Sequence, residues 1–344
     1  MMDLFYNWIC QVWDILLTIG WWSILGLVIG SFLRVLLPRT LLEQRGYKAL
    51  FFSIIGGAMM PMCNFSVIPL VITLLKAGWG IECALGFLSV ATLLSPAAVL
   101  YSYAYMGPLL TGFYVVSAIS SAWLTGAFAH KFLNFETKKL YETVDCSAEE
   151  SLKASVFLAS KIAVWLVVGA GIEAFLVSMS PLIVGQEMLM NPGAMSAVEV
   201  TLLGTLRHVC IPDDISMIAS LVAAGLMPGG VLLFIMFGIA TNVPELAVLY
   251  GTLGKKAAFL YGGTMLLCGV VMYLATQVLI APGFVPQFSL ENAEIWTSLA
   301  NRFSVRTWLP ARVPCTALLL ILCGYGIRDQ KRFFHIDFTV NMKK

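Results

Sequence analysis

Seven stretches of this sequence, near 9–36, 81–106, 108–130, 154–180, 229–253, 257–281 and 308–327, stay apolar long enough to cross a bilayer, whose hydrocarbon needs roughly 20 helical residues. Two pairs of apolar arms lie among them and are too short to do so: 47–60 with 66–77, and 196–209 with 213–225. An arm of about 12 to 14 residues reaches only ~18–21 Å as helix. Each pair is therefore expected to enter the membrane, turn near its middle and leave by the side it entered. The first tip reads MMPMCNFSVIP, residues 59–69, where two prolines and four sulfur-bearing side chains interrupt the run.

Composition places the chain in lipid. Hydrophobic residues make up 59% and charged residues 12%, with a mean hydropathy of +0.88, against ~45–50% and ~25% in soluble domains. The net charge of +2 is too small to point to nucleic acid. No lysine or arginine precedes Arg34, so the first run lacks the basic start of a signal peptide and is read as a retained transmembrane helix. The eight cysteines form no CxxC pair and fall mostly in apolar runs, which argues against a disulfide framework. No zinc-type Cys/His spacing and no phosphate loop occur, so neither a metal, a cofactor nor direct ATP use is expected.

The two short pairs are related. A constant offset of 147 residues maps Gly57 onto Gly204, Cys63 onto Cys210, Ala77-Gly78 onto Ala224-Gly225, Phe87 onto Phe234, Tyr103 onto Tyr250, Gly107 onto Gly254 and Tyr114 onto Tyr261. The sequence thus reads as two copies of one unit, 9–133 and 154–280. A cytoplasmic linker at 134–153 joins them, an outer interfacial segment follows at 281–306, and a final helix with a basic tail occupies 307–344. The fold class expected is an all-α integral membrane protein with two inverted repeats, each holding a re-entrant hairpin and a broken helix, plus one extra helix.

Charge sets the orientation. Arg34, Arg39, Arg45, Lys48 and Lys76 flank the first hairpin, whereas 181–195 and 223–230, the matching turns of the second copy, carry no basic residue. Conversely, Lys255-Lys256 is basic where its counterpart Pro108-Leu109 is not. By the positive-inside rule the copies are inverted, with the N-terminus outside and the C-terminus inside. In a bacterium the inner membrane would be the site. Ile295, Trp296, Leu299 and Phe303 share one helical face, as expected of a helix lying in the outer interface.

Breaks at membrane depth are tolerated only where protein or a watery cavity covers the freed backbone, and paired breaks in inverted repeats mark a midplane site in secondary transporters. Ser66 and Asp213, and Ser95 and Asn242, are equivalent under the offset, and all four are residues that cap helix starts. Four half-helix N-termini would converge, each worth roughly half a positive charge. Such a centre suits an anion or a polarised neutral ligand. Asp213, Asp214 and Glu245, with Arg207 and His208, stand where the first copy has Ser66, Val67, Ala98, Met60 and Pro61. They are candidates for coupling or charge, with simple dipole complementation as the alternative. Met59, Met60, Met62 and Cys63 are either flexible packing or, with Cys210 across the pseudo-two-fold axis, soft ligands for a thiophilic solute. Asn64 adjoins Cys63 at the same tip. No catalytic residue is assigned; Cys210 and His208, the one local pair resembling a nucleophile and base, are two apart and do not share a helix face.

The stretches MCNFSVIPLVITLLKAGWGIECALGFLSVATLLSPAAVLYSYAYMG and IPDDISMIASLVAAGLMPGGVLLFIMFGIATNVPELAVLYGTLG resemble the two signature regions of the predicted permeases that include ArsP, the organoarsenical exporters. Many members carry Cys-x-Cys before the IPL triplet; here that place reads Cys63-Asn64-Phe65, so any arsenic-binding thiol carries over to Cys63 alone. The resemblance implies efflux of a small thiophilic or organometalloid solute by a secondary-active permease. Copper, zinc or a sulfur-containing anion are the alternative cargoes, and an intramembrane enzyme or scaffold subunit the other class.

Overall fold

The computed structural model describes residues 2–36, 45–60, 64–76, 78–135, 148–183, 228–280, 297–299, 309–328 and 340–342. These residues are helical apart from one short ladder. Helix α1 (Met2–Leu36) is followed by three short helices, α2 (Tyr47–Ala58), α3 (Asn64–Lys76) and α4 (Ile81–Leu93), and by the long α5 (Pro96–Phe132). Then come α6 (Ala148–Ile183), α7 (Pro228–Phe234) with a π-helical turn at Ile235–Ile239, α8 (Val243–Leu253), α9 (Lys255–Leu279) and α10 (Leu309–Arg328). Strands β1 (Leu133–Phe135) and β2 (Val340–Met342) pair antiparallel, so the C-terminal segment lies beside the end of α5.

Where seven spans are expected, five described helices are long and apolar enough to cross: Tyr6–Leu33, Pro96–Phe132, Ala159–Leu176, Lys255–Leu279 and Pro310–Arg328. A pair bent by 42°, Gly229–Gly238 with Val243–Leu253, is apolar enough to make a sixth span if its two helices count as one, or else a re-entrant loop. The difference falls at 81–130, expected as two spans. There the 13-residue α4 stops at Leu93, and α5 runs 37 residues through a kink at Gly107. Gly107 holds φ 76° and Gly254, 147 residues later, φ 89°; a side chain is strained at such a φ, and in both places proline or lysine helix follows at once. The short arms of the first pair are α2 and α3, 12 and 13 residues long. The second pair, 196–209 with 213–225, and the interfacial segment 281–296 lie outside the described residues.

Glycine sets how closely the helices approach, as is usual where lipid supplies no hydrophobic drive between them. Gly26 of α1 lies against the backbone of Ser66, its absent Cβ only 2.6 Å from Ser66 Cα, and Gly30 lies against Leu70 Cα at 3.0 Å. The contacts advance together, so α1 and α3 run parallel. Leu50 of α2 meets Gly86, and Gly57 meets Phe87 and Val90, which makes α2 parallel to α4. Gly126 backs onto the Glu82 carbonyl and Gly86 onto that of Ala122, so α4 and the second half of α5 are antiparallel. Gly169 of α6 fits against Pro244, and Gly251 of α8 against the Trp165 ring, again antiparallel. Thr316 of α10 donates to the Leu16 carbonyl at 3.2 Å, tying the last helix to the first.

A methyl group at Gly26 has nowhere to go but into the Ser66 backbone. Gly26→Ala should therefore destabilise the detergent-solubilised protein by about 1–3 kcal/mol, the usual cost of overpacking. Gly263→Ala, where the added Cβ meets nothing within 4 Å, should leave the thermal unfolding midpoint unchanged. Equal midpoints for both variants would refute the close α1–α3 contact.

Candidate functional site

Two helices break inside the membrane-spanning body, and side chains finish what the backbone leaves open. After α4 the chain is extended at Leu94 and Ser95, and α5 restarts with Pro96. Ser95 Oγ accepts the Ala98 N–H at 3.1 Å. After the π-turn the chain resumes at Asn242, whose Oδ1 accepts the Glu245 N–H at 3.0 Å, with Pro244 in the first turn. Both residues are N-caps as the sequence predicts, and both are buried, Asn242 completely. A π-turn beside a break is a common feature of functional sites.

The carbonyl ends of the breaks are closed too. Tyr114 donates its hydroxyl to the Leu93 carbonyl, and Thr241 to that of Phe237. Tyr261, the counterpart of Tyr114, does something different. Its hydroxyl donates to Glu245 Oε1 at 3.1 Å. Glu245 lies in the second break's half-helix, and Thr92, in the last turn of α4, stands beside the phenol while its own hydroxyl donates to the Ser89 carbonyl at 3.1 Å. Both tyrosines and Glu245 are essentially inaccessible. Nearby, Thr125 of α5 and Thr264 of α9 share a hydrogen bond of 2.9 Å.

The helix α3 also reaches this centre, since it packs on α8 as well as on α1 and α4. Asn64 is its first residue. Ser66 is not the cap that the sequence predicts: the helix begins two residues earlier, so Ser66 sits in the first turn, buried against Gly26. The pattern misled because a serine two residues inside a helix start looks like a cap until the start is known. Asn242 and Glu245 are thus joined to each other and, through Glu245, to Tyr261, while Ser95 caps its own helix. Met62, Cys63, Arg207, His208, Cys210, Asp213 and Asp214 lie outside the described residues.

Three buried ionisable groups escaped the sequence reading. Glu82, 4% exposed, accepts the Gly46 N–H at 2.8 Å and lies 3.4 Å from His130 Nδ1. It fastens the starts of α2 and α4 to the end of α5. Lys161 and Glu173 are both buried within α6. Gly169, one turn before Glu173, touches Pro244, which places Glu173 on the α6 face turned to α8 and about 6 Å further toward the break. All three were visible as charges within or beside apolar runs, the signal that marks an intramembrane functional candidate.

The Tyr261 bridge makes a measurable prediction. Tyr261→Phe should cost about 1–3 kcal/mol by leaving a buried carboxyl short of a donor. In a double-mutant cycle with Glu245→Ala, which removes the acceptor, followed by SDS-titrated unfolding, the coupling should be about 0.5–3 kcal/mol. Strict additivity would show that the two side chains do not share the bond.

A family model, ArsP_1, described as a predicted permease, matches residues 11–279. No curated protein and no solved structure matches the chain.

Proposed function

The chain belongs to the ArsP_1 family of predicted permeases, and from that premise we propose that it is a secondary-active permease that exports a small thiophilic or organometalloid solute, of the trivalent organoarsenical type, by alternating access. Membership in a permease family makes it a multi-pass membrane transporter that takes a small-molecule solute across a lipid bilayer. The observation that carries the finer reading is the buried bond from the Tyr261 hydroxyl to Glu245, in the first turn of the restarted helix α8. A midplane centre built from paired breaks is what a secondary transporter uses to hold its cargo.

The inverted repeat belongs to the same proposal. Two caps and two positive-φ glycines recur at the 147-residue offset, which supports two copies of one unit. Parallel α1 and α3, parallel α2 and α4, and the short connection from α3 into α4 support a hairpin in which α2 enters and α3 returns to the same side. Pairing of β1 with β2 puts the start of the linker and the C-terminal segment on one face, in keeping with both lying inside. Around the breaks, Cys63 and Cys210 would supply soft ligands, Met62, Asn64, Ser66, Ser95 and Asn242 the rest of the lining, and Glu245 with Asp213, Asp214, Arg207 and His208 the coupling charges.

Transport decides between cargoes. Proteoliposomes should accumulate trivalent phenylarsenical under an imposed pH gradient, and Cys63→Ser or Cys210→Ser should lower the rate at least tenfold, since serine keeps the volume and replaces a soft ligand with a hard one. Glu245→Gln should fold yet lose the pH dependence. Normal export by both serine variants would sink the thiophilic reading and leave a permease for a harder solute.

Orientation is checked separately. A variant retaining only Cys146, in the linker, should react with a membrane-impermeant maleimide in inside-out vesicles and stay unlabelled in intact cells. Labelling of intact cells would invert the proposed topology.

A further inference from the structure

Asn242 uses only one end of its carboxamide. Oδ1 takes the Glu245 N–H, and this fixes which way the group lies, because only the carbonyl oxygen can accept from a backbone amide. The same planar group turns Nδ2 away from the α8 backbone. Asn242 is fully buried, and Nδ2 has no hydrogen-bond partner among the described residues. A donor stranded in this way is costly, and a smaller residue could have capped α8 without stranding one: Ser95 does so for α5 with a single hydroxyl.

We infer that Asn242 Nδ2 is the solute-orienting donor of the central site, and that its ligand is an acceptor oxygen on an uncharged solute; the inference rests on the permease reading. Charge on the solute is disfavoured from both directions. An anion would meet the Glu245 carboxyl in the same first turn, and a bare cation would meet both the positive end of α8 and the amide protons. Net charge is in any case expensive at membrane depth. A neutral solute with an oxygen that accepts satisfies Nδ2 without either conflict. This requirement is separate from any soft contact with sulfur, so the site would recognise its cargo at two chemically different points.

Two probes separate those points. Trimethylarsine oxide is neutral, presents one strong acceptor oxygen and has no free valence for a thiol. Silver ion is thiophilic and presents no oxygen. Full-length protein in nanodiscs is dialysed to equilibrium against each, and retained metal or arsenic is counted. Wild type should retain the oxide at millimolar concentration. Asn242→Ser, which keeps a capping oxygen, should weaken that retention about tenfold, the usual loss for one neutral hydrogen bond, without changing silver retention or the unfolding midpoint. Should the serine variant prove unstable, Asn242→Asp keeps the shape and the cap and should show the same loss. Oxide retention that is absent in wild type, or untouched by either variant, overturns the inference. Silver retention that survives Cys63→Ser and Cys210→Ser in a background whose other six cysteines are already serine sinks the thiophilic reading instead, and leaves the Asn242 result standing.

Discussion

A peptide group released from its helix in the middle of a bilayer finds no water, and each unsatisfied N–H or C=O there costs several kcal/mol. The centre of this protein is organised by that constraint. Ser95 and Asn242 each take one free N–H in the first turn of the two restarted helices, that of Ala98 and that of Glu245. Tyr114 reaches from the far part of α5 to the last carbonyl of α4. Thr241 folds back on the π-turn that precedes the second break. With these bonds made, the chain can stop and restart at depth, and side chains that a continuous helix would turn to lipid or to its neighbours can face one another instead.

Close glycine contacts provide the frame around the breaks. Gly26 and Gly30 bring α1 onto α3, Gly169 and Gly251 bring α6 onto α8, and Gly86 and Gly126 enclose Leu50 between α4 and α5. Contacts this close leave little room to slide without a clash. Two further joints are of another kind: a threonine pair between α5 and α9, and a phenol of α9 bonded to a carboxyl of α8. Hydrogen bonds of this sort exchange partners at small cost, whereas packed glycine faces do not. Under alternating access the first set would travel as rigid bodies and the second would be remade.

Much of this was legible in the sequence where local chemistry decides it. Ser95 with Pro96, and Asn242 with Pro244, spell helix restarts by themselves, and both are found as such. Gly107 and Gly254 marked their turns because only glycine adopts that φ freely. Ser66 failed because a serine caps only at the residue just before a helix, and here the helix already includes Asn64. Glu82 escaped notice, since nothing near it in sequence announces Gly46 or His130 as partners 36 and 48 residues away. The role of Tyr261 was hidden for the same reason: the offset aligned it with Tyr114, but no pattern says that one phenol would seek a carbonyl and the other a carboxyl.

That divergence bears on what Glu245 is for. An acid in a first turn complements the helix dipole, and this would account for Glu245 if its carboxyl were in water, where the gain is about 0.3–1 kcal/mol. Glu245 is instead fully buried, and the desolvation of a carboxyl far exceeds that gain. Nor does the break demand it. The first break has the same kind of cap with Ala98 in the corresponding place, and the backbone N–H of Glu245 is already capped by Asn242. The carboxyl also draws Tyr261 into a bond with a side chain, where Tyr114, 147 residues earlier, closes a backbone carbonyl. Under the proposed transport function, a group that is costly and dispensable to the architecture would serve coupling and not the cap, with its bond to Tyr261 as the contact that a change in its charge would alter first.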